Sequence, residues 1–206
     1  MLQADLSRFH LATVADTCAI WNVLASPRLT RAARVAGCIF SLTTYVLYEC
    51  LHKPRKEDSP EDRELQNRLS AARMGELFQS HTLSLADLQD VARLEARKRV
   101  GKGELSCIAF ARRTGLAVLT DDTGAQKLGV QELPNERVQS SPHLFGWLVF
   151  AGHITDADVE PIVSEHVAMR RHRGEDFRGS YREALRIRLL LRTSMTPTSG
   201  SPGTGA

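Results

Sequence analysis

Short apolar runs alternate with longer stretches of helical period through the first two thirds of the chain. The runs "LATVAD" (11–16), "GCIFSL" (37–42), "LFQSHTL" (77–83) and "LAVLT" (116–120) read as strands. "LAVLT" is apolar throughout, as expected of a strand buried on both faces of a parallel sheet. Between them, "TCAIWNVLAS" and "LTRAARVA" have helical spacing on either side of Pro27, and Thr43 or Thr44 can cap "YVLYECL", which puts Val46 and Cys50 on one face. The charged, proline-bearing residues 52–64 predict an exposed loop, followed by the helix "ELQNRLSAARM". Ser84 and Asp87 have the spacing of a capping box opening the helix "LADLQDVARLEARKR". After a turn at Gly101 and Gly103, "ELSCIAFARRTG" places Leu105, Ile108 and Ala109 on one face, with Gly115 where a C-terminal cap belongs.

Strands and helices of these lengths, taken in alternation, predict an α/β fold: a parallel central sheet flanked by helices and joined by right-handed crossovers. The last third differs. "PHLFGWLVFAGHI", an Asp158-capped "VEPIVSEHVAMRR" and "SYREALRIRLLL" are successive helical patterns without a strong strand between them. The expected organisation is an α/β domain over residues 1–142, an α-helical C-terminal extension over 143–192 packed on the same domain, and a disordered tail over 193–206, where apolar surface is too scarce to offset ordering entropy. Leu144, Phe145, Trp147, Leu148 and Phe150 cover more than one helical face, which predicts a homodimer or a partner-covered surface.

Composition narrows the class. At 206 residues and 42% hydrophobic content the chain suits one soluble domain, with no apolar run of membrane-spanning length, and the start "MLQADLSRFH" has no secretion-signal pattern, so a cytoplasmic location is expected. The four cysteines lie singly in apolar segments, without zinc or disulfide spacing, and read as buried thiols. The seven histidines form no close ligand pair, and Trp21 and Trp147 read as core residues. A net charge of +3 is too mild to establish a nucleic-acid partner, but basic residues bunch at 93–103 and again at 169–192.

The acids carry the chemistry. In an open parallel sheet the reactive crevice lies beyond the carboxyl ends of the strands. Asp16 directly follows the first strand, and Asp121 with Asp122 follow "LAVLT", so all three fall at one edge. Glu49 sits between "YVLY" and "CL", where a lone carboxylate is costly to bury unless paired or metal-bound, and Glu104 opens the helix leading into "LAVLT". Each has a structural alternative: Asp16, Asp121 or Asp122 as a helix cap, Glu104 as a partner of the helix dipole. Together they would repel one another, which divalent cations neutralise, and an oxygen-only donor set favours Mg²⁺ or Mn²⁺. Such a site suits phosphodiester hydrolysis, and Arg97, Lys98, Arg99 and Lys102, next to Glu104 in sequence, are placed to hold a nucleic-acid backbone.

"VADTCAIWNVL", "LTTYVLYECL" and "GKGELSCIAFARRTGLAVLTDD" together resemble the acidic motifs of the PIN-domain nucleases, and "GWLVFAGHITDADVEPIVSEH" with "RGEDFRGSYREALRI" is similar to the C-terminal segment of a toxin–antitoxin subgroup. The resemblance spans most of residues 11–190. It implies a three-layer sandwich and a Mg²⁺- or Mn²⁺-dependent endoribonuclease, the toxin of a pair, with an RNA substrate and a small antitoxin protein as partner. By motif match Asp16, Glu49, Glu104 and Asp122 become the catalytic metal-binding acids, with Asp121 an alternative or fifth ligand, and Thr17 and Thr120 the groups that orient them. Cys18 departs from the serine or asparagine usual at its position. A non-catalytic nucleic-acid- or protein-binding module, or a DNA-directed nuclease, is the rival expectation.

Overall fold

The structure, a computed structural model, describes residues 5–54, 59–75, 77–96 and 100–194. Strands β1 (Ala12–Ala15), β2 (Ile39–Thr43), β3 (Phe78–His81), β4 (Ala117–Leu119) and β5 (Val138–Gln139) form one sheet in the order β3-β2-β1-β4-β5, every pair parallel. The expected α/β sandwich is therefore the fold. The chain builds outward from β1 through β2 to β3, then returns to the other side of β1 for β4 and β5. The switch in strand order lies between β1 and β4, where Val14 pairs with Val118 and Ala15 with Leu119.

Among the described residues ten α-helices flank the sheet: α1 (Thr17–Ala25), α2 (Pro27–Val35), α3 (Thr44–Leu51), α4 (Pro60–Met74), α5 (Leu85–Glu95), α6 (Lys102–Thr114), α7 (Thr123–Glu132), α8 (Ser141–Ala151), α9 (Asp156–Ala168) and α10 (Gly174–Ser194). Helix α6 crosses β1, β2 and β4 with α5 and α7 beside it, while α1 gathers α2, α4, α8 and α9 in the opposite layer. Helix α3 touches both α1 and α6. Gly115 closes α6 in the left-handed conformation at φ 73, which a residue with a Cβ adopts only under strain. The Ser84–Asp87 capping box opens α5 as its spacing predicts.

Several boundaries differ from the sequence reading, three of them through a local cap. Ser26 caps α2 with Pro27 as its first residue, so Pro27 begins a helix instead of separating two. Ser59 caps α4 in the same way, turning residues 60–64 from loop to helix; residues 55–58 lie outside the described residues. Thr155, not Asp158, precedes α9, and the Asp158 carboxylate accepts from the Thr155 N–H at 3.0 Å and hydroxyl at 2.6 Å. Thr193 and Ser194 continue α10; the rest of the expected tail, 195–206, lies outside the described residues. Strand β5 was not legible, because two residues carry no period.

Helix α10 packs along α8. Leu144, Phe145 and Leu148 are fully buried there, Trp147 and Phe150 pack against the core from its edge, and the Phe145 and Phe177 rings stack at 4.8 Å between centroids. The apolar side chains of α8 are thus buried or half-buried against α10 and the core. Among the described residues no helix is long and apolar enough to cross a membrane.

Candidate functional site

The acids meet at the switch point. Asp16 is the residue after β1, its N–H donating to the Leu119 carbonyl of β4 at 3.1 Å, so the ladder itself fixes the backbone. Its side chain has no exposed surface. One carboxylate oxygen caps α1 through the Ala19 N–H at 2.8 Å, and the other accepts the Thr120 hydroxyl. Burial pushes its pKa up to about 7; the Thr120 and Ala19 hydrogen bonds oppose that rise, and the charges of Asp121 and Glu104 add to it.

Glu104 stands in the first turn of α6, behind Gly101, which offers no side-chain cap. Burial raises its pKa, its own N–H works against the rise, and Glu49 and Asp122 push it further up. Glu49, on α3, accepts the Thr17 hydroxyl at 2.7 Å and has Lys53 Nζ at 4.0 Å. The two glycines before Glu104 account for how closely these acids pack: a Cβ on Gly101 would run into Glu104 Oε2, and a Cβ on Gly103 into Glu49 Oε2. The "GKGE" stretch is a cradle in which backbone, not side chain, faces two carboxylates.

Asp122 and its neighbour divide the remaining work. Asp122 is exposed and caps α7 through the Ala125 N–H at 2.7 Å, with its charge felt at Glu104. Asp121 is buried and accepts from Asn22 Nδ2 at 2.7 Å, the Ser141 N–H at 2.9 Å and the Ser141 hydroxyl. Those donors tie the end of β4 to α1 and to the start of α8. Asp121 therefore serves the fold whatever else it does.

The oxygen chemistry fits a hard divalent cation. Each carboxylate keeps lone pairs beyond the hydrogen bonds it accepts, and at Asp16 and Glu104 the charges of neighbouring acids add to burial in raising the pKa. As they stand, among the described residues no three His, Cys, Asp or Glu side chains are close enough to share one ion; a cation would have to draw them together.

The basic residues fall elsewhere than sequence adjacency implied. Arg97, Lys98 and Arg99 lie outside the described residues, and Lys102 turns to Glu95, at 3.9 Å. Among the described residues, cations near the acids include Lys53, beside Glu49, and Arg173, whose Nη2 donates to the Asp121 carbonyl at 3.2 Å. Arg173 comes from the second basic run, 169–192, which is visible in the sequence; its place at the crevice is not. The loop that delivers it is pinned to the start of α4 by an Arg170–Glu61 pair at 3.0 Å, with Arg170 itself at a positive φ of 53.

Cys18 corrects an expectation: it is exposed, not core, because it lies at the crevice rim of α1. Partial desolvation, then the charges of Asp16, Glu104 and Asp121, push its thiol up to about 11, so it is a neutral, weak nucleophile at neutral pH. His143 and His166 are buried among backbone carbonyls, away from any ligand cluster. No protein-family model matches this chain, and no curated protein matches it at a significant level of similarity.

Proposed function

We propose that this chain is a divalent-metal-dependent endoribonuclease of the PIN-domain type, acting in the cytoplasm as the toxin of a toxin–antitoxin pair. The observation that carries the catalytic part is the convergence of Asp16, Glu49, Glu104 and Asp122, from four separate segments, at the strand-order switch of a parallel sheet, where burial and like charge raise the pKa of Asp16 and of Glu104. The toxin setting rests on the motif resemblance of residues 11–190.

In this reading Asp16, Glu49, Glu104 and Asp122 hold Mg²⁺ or Mn²⁺. When bound, the ion supplies Lewis acidity at the phosphate and a lowered pKa for the attacking water. The chain's own part is positional. Thr120 holds the Asp16 carboxylate and Thr17 that of Glu49, while the glycine cradle keeps Glu49 and Glu104 close. Lys53 and Arg173 supply positive charge for the phosphodiester backbone on either side of the acids.

One observation favours the rival, a non-catalytic nucleic-acid-binding module: Asp16 and Asp122 both cap helices and so have structural employment. Incubating the purified chain with RNA and DNA oligonucleotides in Mg²⁺, Mn²⁺ or EDTA separates the two. RNA cleavage that EDTA stops is the expected result. Tight RNA binding without cleavage under any metal would move the assignment to the binding module, and preferential cutting of DNA would move the substrate.

A further inference from the structure

Helix α3 carries more than Glu49. Its core-facing positions are Val46 and Cys50, both without exposed surface. Going round the helix at about 100° per residue, Lys53 and Glu49 follow on one flank, then Tyr45 and His52, and last Tyr48, on the side away from the core. The crevice lies on the Glu49 flank, where that carboxylate accepts the Thr17 hydroxyl at 2.7 Å and faces Gly103. A strand leaving the crevice over α3 therefore crosses Tyr45 first and Tyr48 next.

These two rings differ from the other aromatic side chains. Among the described residues every Phe and Trp is buried or half-buried, and Tyr48, at 52% exposed, is the one Phe, Trp or Tyr that stands in solvent. Of the three tyrosines in the chain, Tyr181 packs against the core and is hydrogen-bonded to Asp156. Tyr45, half-buried, and Tyr48 make no ring contact and no side-chain hydrogen bond among the described residues. Their faces are open to a ligand.

The surroundings say which ligand. Lys53, its side chain 60% exposed, sets Nζ at 4.0 Å from Glu49 Oε1 and brings positive charge to the crevice side of the rings. Thr44 and His52, four residues to either side of Tyr48, are polar and exposed, so the rings do not continue into an apolar patch of the kind a protein partner covers. A cation beside two open rings three residues apart on one helix face suits a phosphate followed by splayed bases.

We propose that Tyr45 and Tyr48 form a stacking platform for two unpaired bases of the RNA strand as it leaves the crevice over α3, with Lys53 meeting the phosphate between those bases and the acids. The proposal rests on the nuclease reading. Stacking uses a face that every base has, so the platform sets the path of the strand without selecting its sequence.

The full chain, labelled with meta-fluorotyrosine, gives one fluorine NMR signal for each of the three tyrosines, with Tyr181 as the internal reference. It is titrated in Ca²⁺, an oxygen-seeking ion other than the two proposed for catalysis, with an RNA octamer and with an abasic octamer of the same charge; affinities are read by fluorescence anisotropy. The RNA is expected to shift the Tyr45 and Tyr48 signals and leave Tyr181 in place, and the abasic strand to move none of them and bind at least about fivefold more weakly. Tyr48→Ala should weaken RNA binding by a similar factor without affecting the abasic strand, and Tyr48→Phe, which keeps the ring, should restore it. Because Tyr48 is exposed, the alanine variant removes no core contact, and Tyr45→Ala repeats the test at the inner ring. Equal affinity for the two strands, unmoved Tyr45 and Tyr48 signals, or RNA binding by both alanine variants at the wild-type level overturns the platform. Cleavage is scored separately in Mn²⁺: RNA cleavage with unmoved ring signals removes the platform and leaves the nuclease, whereas ring shifts and discrimination against the abasic strand without cleavage remove the nuclease and leave a base-stacking face.

Discussion

Asp16 and Asp87 are both aspartates with essentially no exposed surface, at 0% and 1%, yet their protonation is pushed in opposite directions. At Asp87 burial favours the neutral acid, but an Arg113 guanidinium at 2.7 Å and the Ser84 N–H and hydroxyl, each at 2.8 Å, outweigh it, and the pKa falls below the usual carboxylate range. At Asp16 burial is opposed only by a threonine hydroxyl and one N–H, while Asp121 and Glu104 add like charge, and the pKa rises to about 7. A carboxylate that serves the fold brings its own cation. Among the described residues no side-chain cation pairs with the Asp16 carboxylate in the same way, and on the proposed reading that difference is where a divalent cation would act.

The widest separation between the two regions is in activity. Glu104→Gln is expected to lower metal-dependent RNA cleavage by at least about 100-fold, since it removes charge stabilisation needed in the transition state, while Asp87→Asn leaves the rate of the folded protein unchanged. Initial rates in Mn²⁺ check both. Cleavage at the wild-type rate by Glu104→Gln, with Glu49→Gln equally active, would break the comparison at its centre.

In stability the order reverses. The raised pKa of Asp16 means that the folded chain binds a proton more tightly than the unfolded one. The cost of ionising it is absent below the unfolded value near 3.8, grows as pH rises, and is complete above about 7. Asp16→Asn keeps a capping side chain and should therefore raise the metal-free melting temperature at pH 8, by up to about 4 kcal/mol in stability, with the gain fading toward pH 4. It should also weaken Mn²⁺ binding in calorimetry. A lower melting temperature at pH 8 would mean that capping and the Thr120 bond dominate.

Asp87 has the opposite linkage. Its folded pKa is depressed, so its contribution is present above the unfolded value and is lost as pH falls through the folded one. Asp87→Ala removes the capping box and the Arg113 pair together and is expected to cost about 2 kcal/mol at pH 7. Because Arg113 is substantially exposed, the arginine left behind is solvated and the loss stays moderate. Denaturant melts at pH 7 and pH 3 read it, and an undiminished cost at pH 3 would show that packing, not charge, holds that corner.

The smallest stability change, and the finest test of the cradle, is Gly103→Ala. Its Cβ would meet the flexible end of Glu49 instead of backbone, and alanine favours a helix, so the net change is expected within about 1 kcal/mol. Mn²⁺ affinity should nevertheless fall as Glu49 is displaced. Unchanged affinity in calorimetry would detach Glu49 from the site.

Much of this was legible along the chain because its signals are local. The apolar run of β4, the glycine that closes α6 and the Ser84–Asp87 box each depend on a few neighbouring residues, so their spacing reads as structure. The parallel sheet, inferred from alternation, was enough to put Asp16, Asp121 and Asp122 at one edge. What only the tertiary structure decided concerns partners far apart in sequence. Nothing near Asp121 announces that Asn22 and Ser141 will supply its donors, or that Arg173 will come to rest on its carbonyl. Two residues of β5 carry no period until β4 pairs with them, and the apolar faces of α8 look surplus until α10 covers them. Local patterning determines which elements form and which end of the sheet is acidic; closure of the chain on itself decides which donors and charges each of those acids meets, because those partners lie far away in sequence.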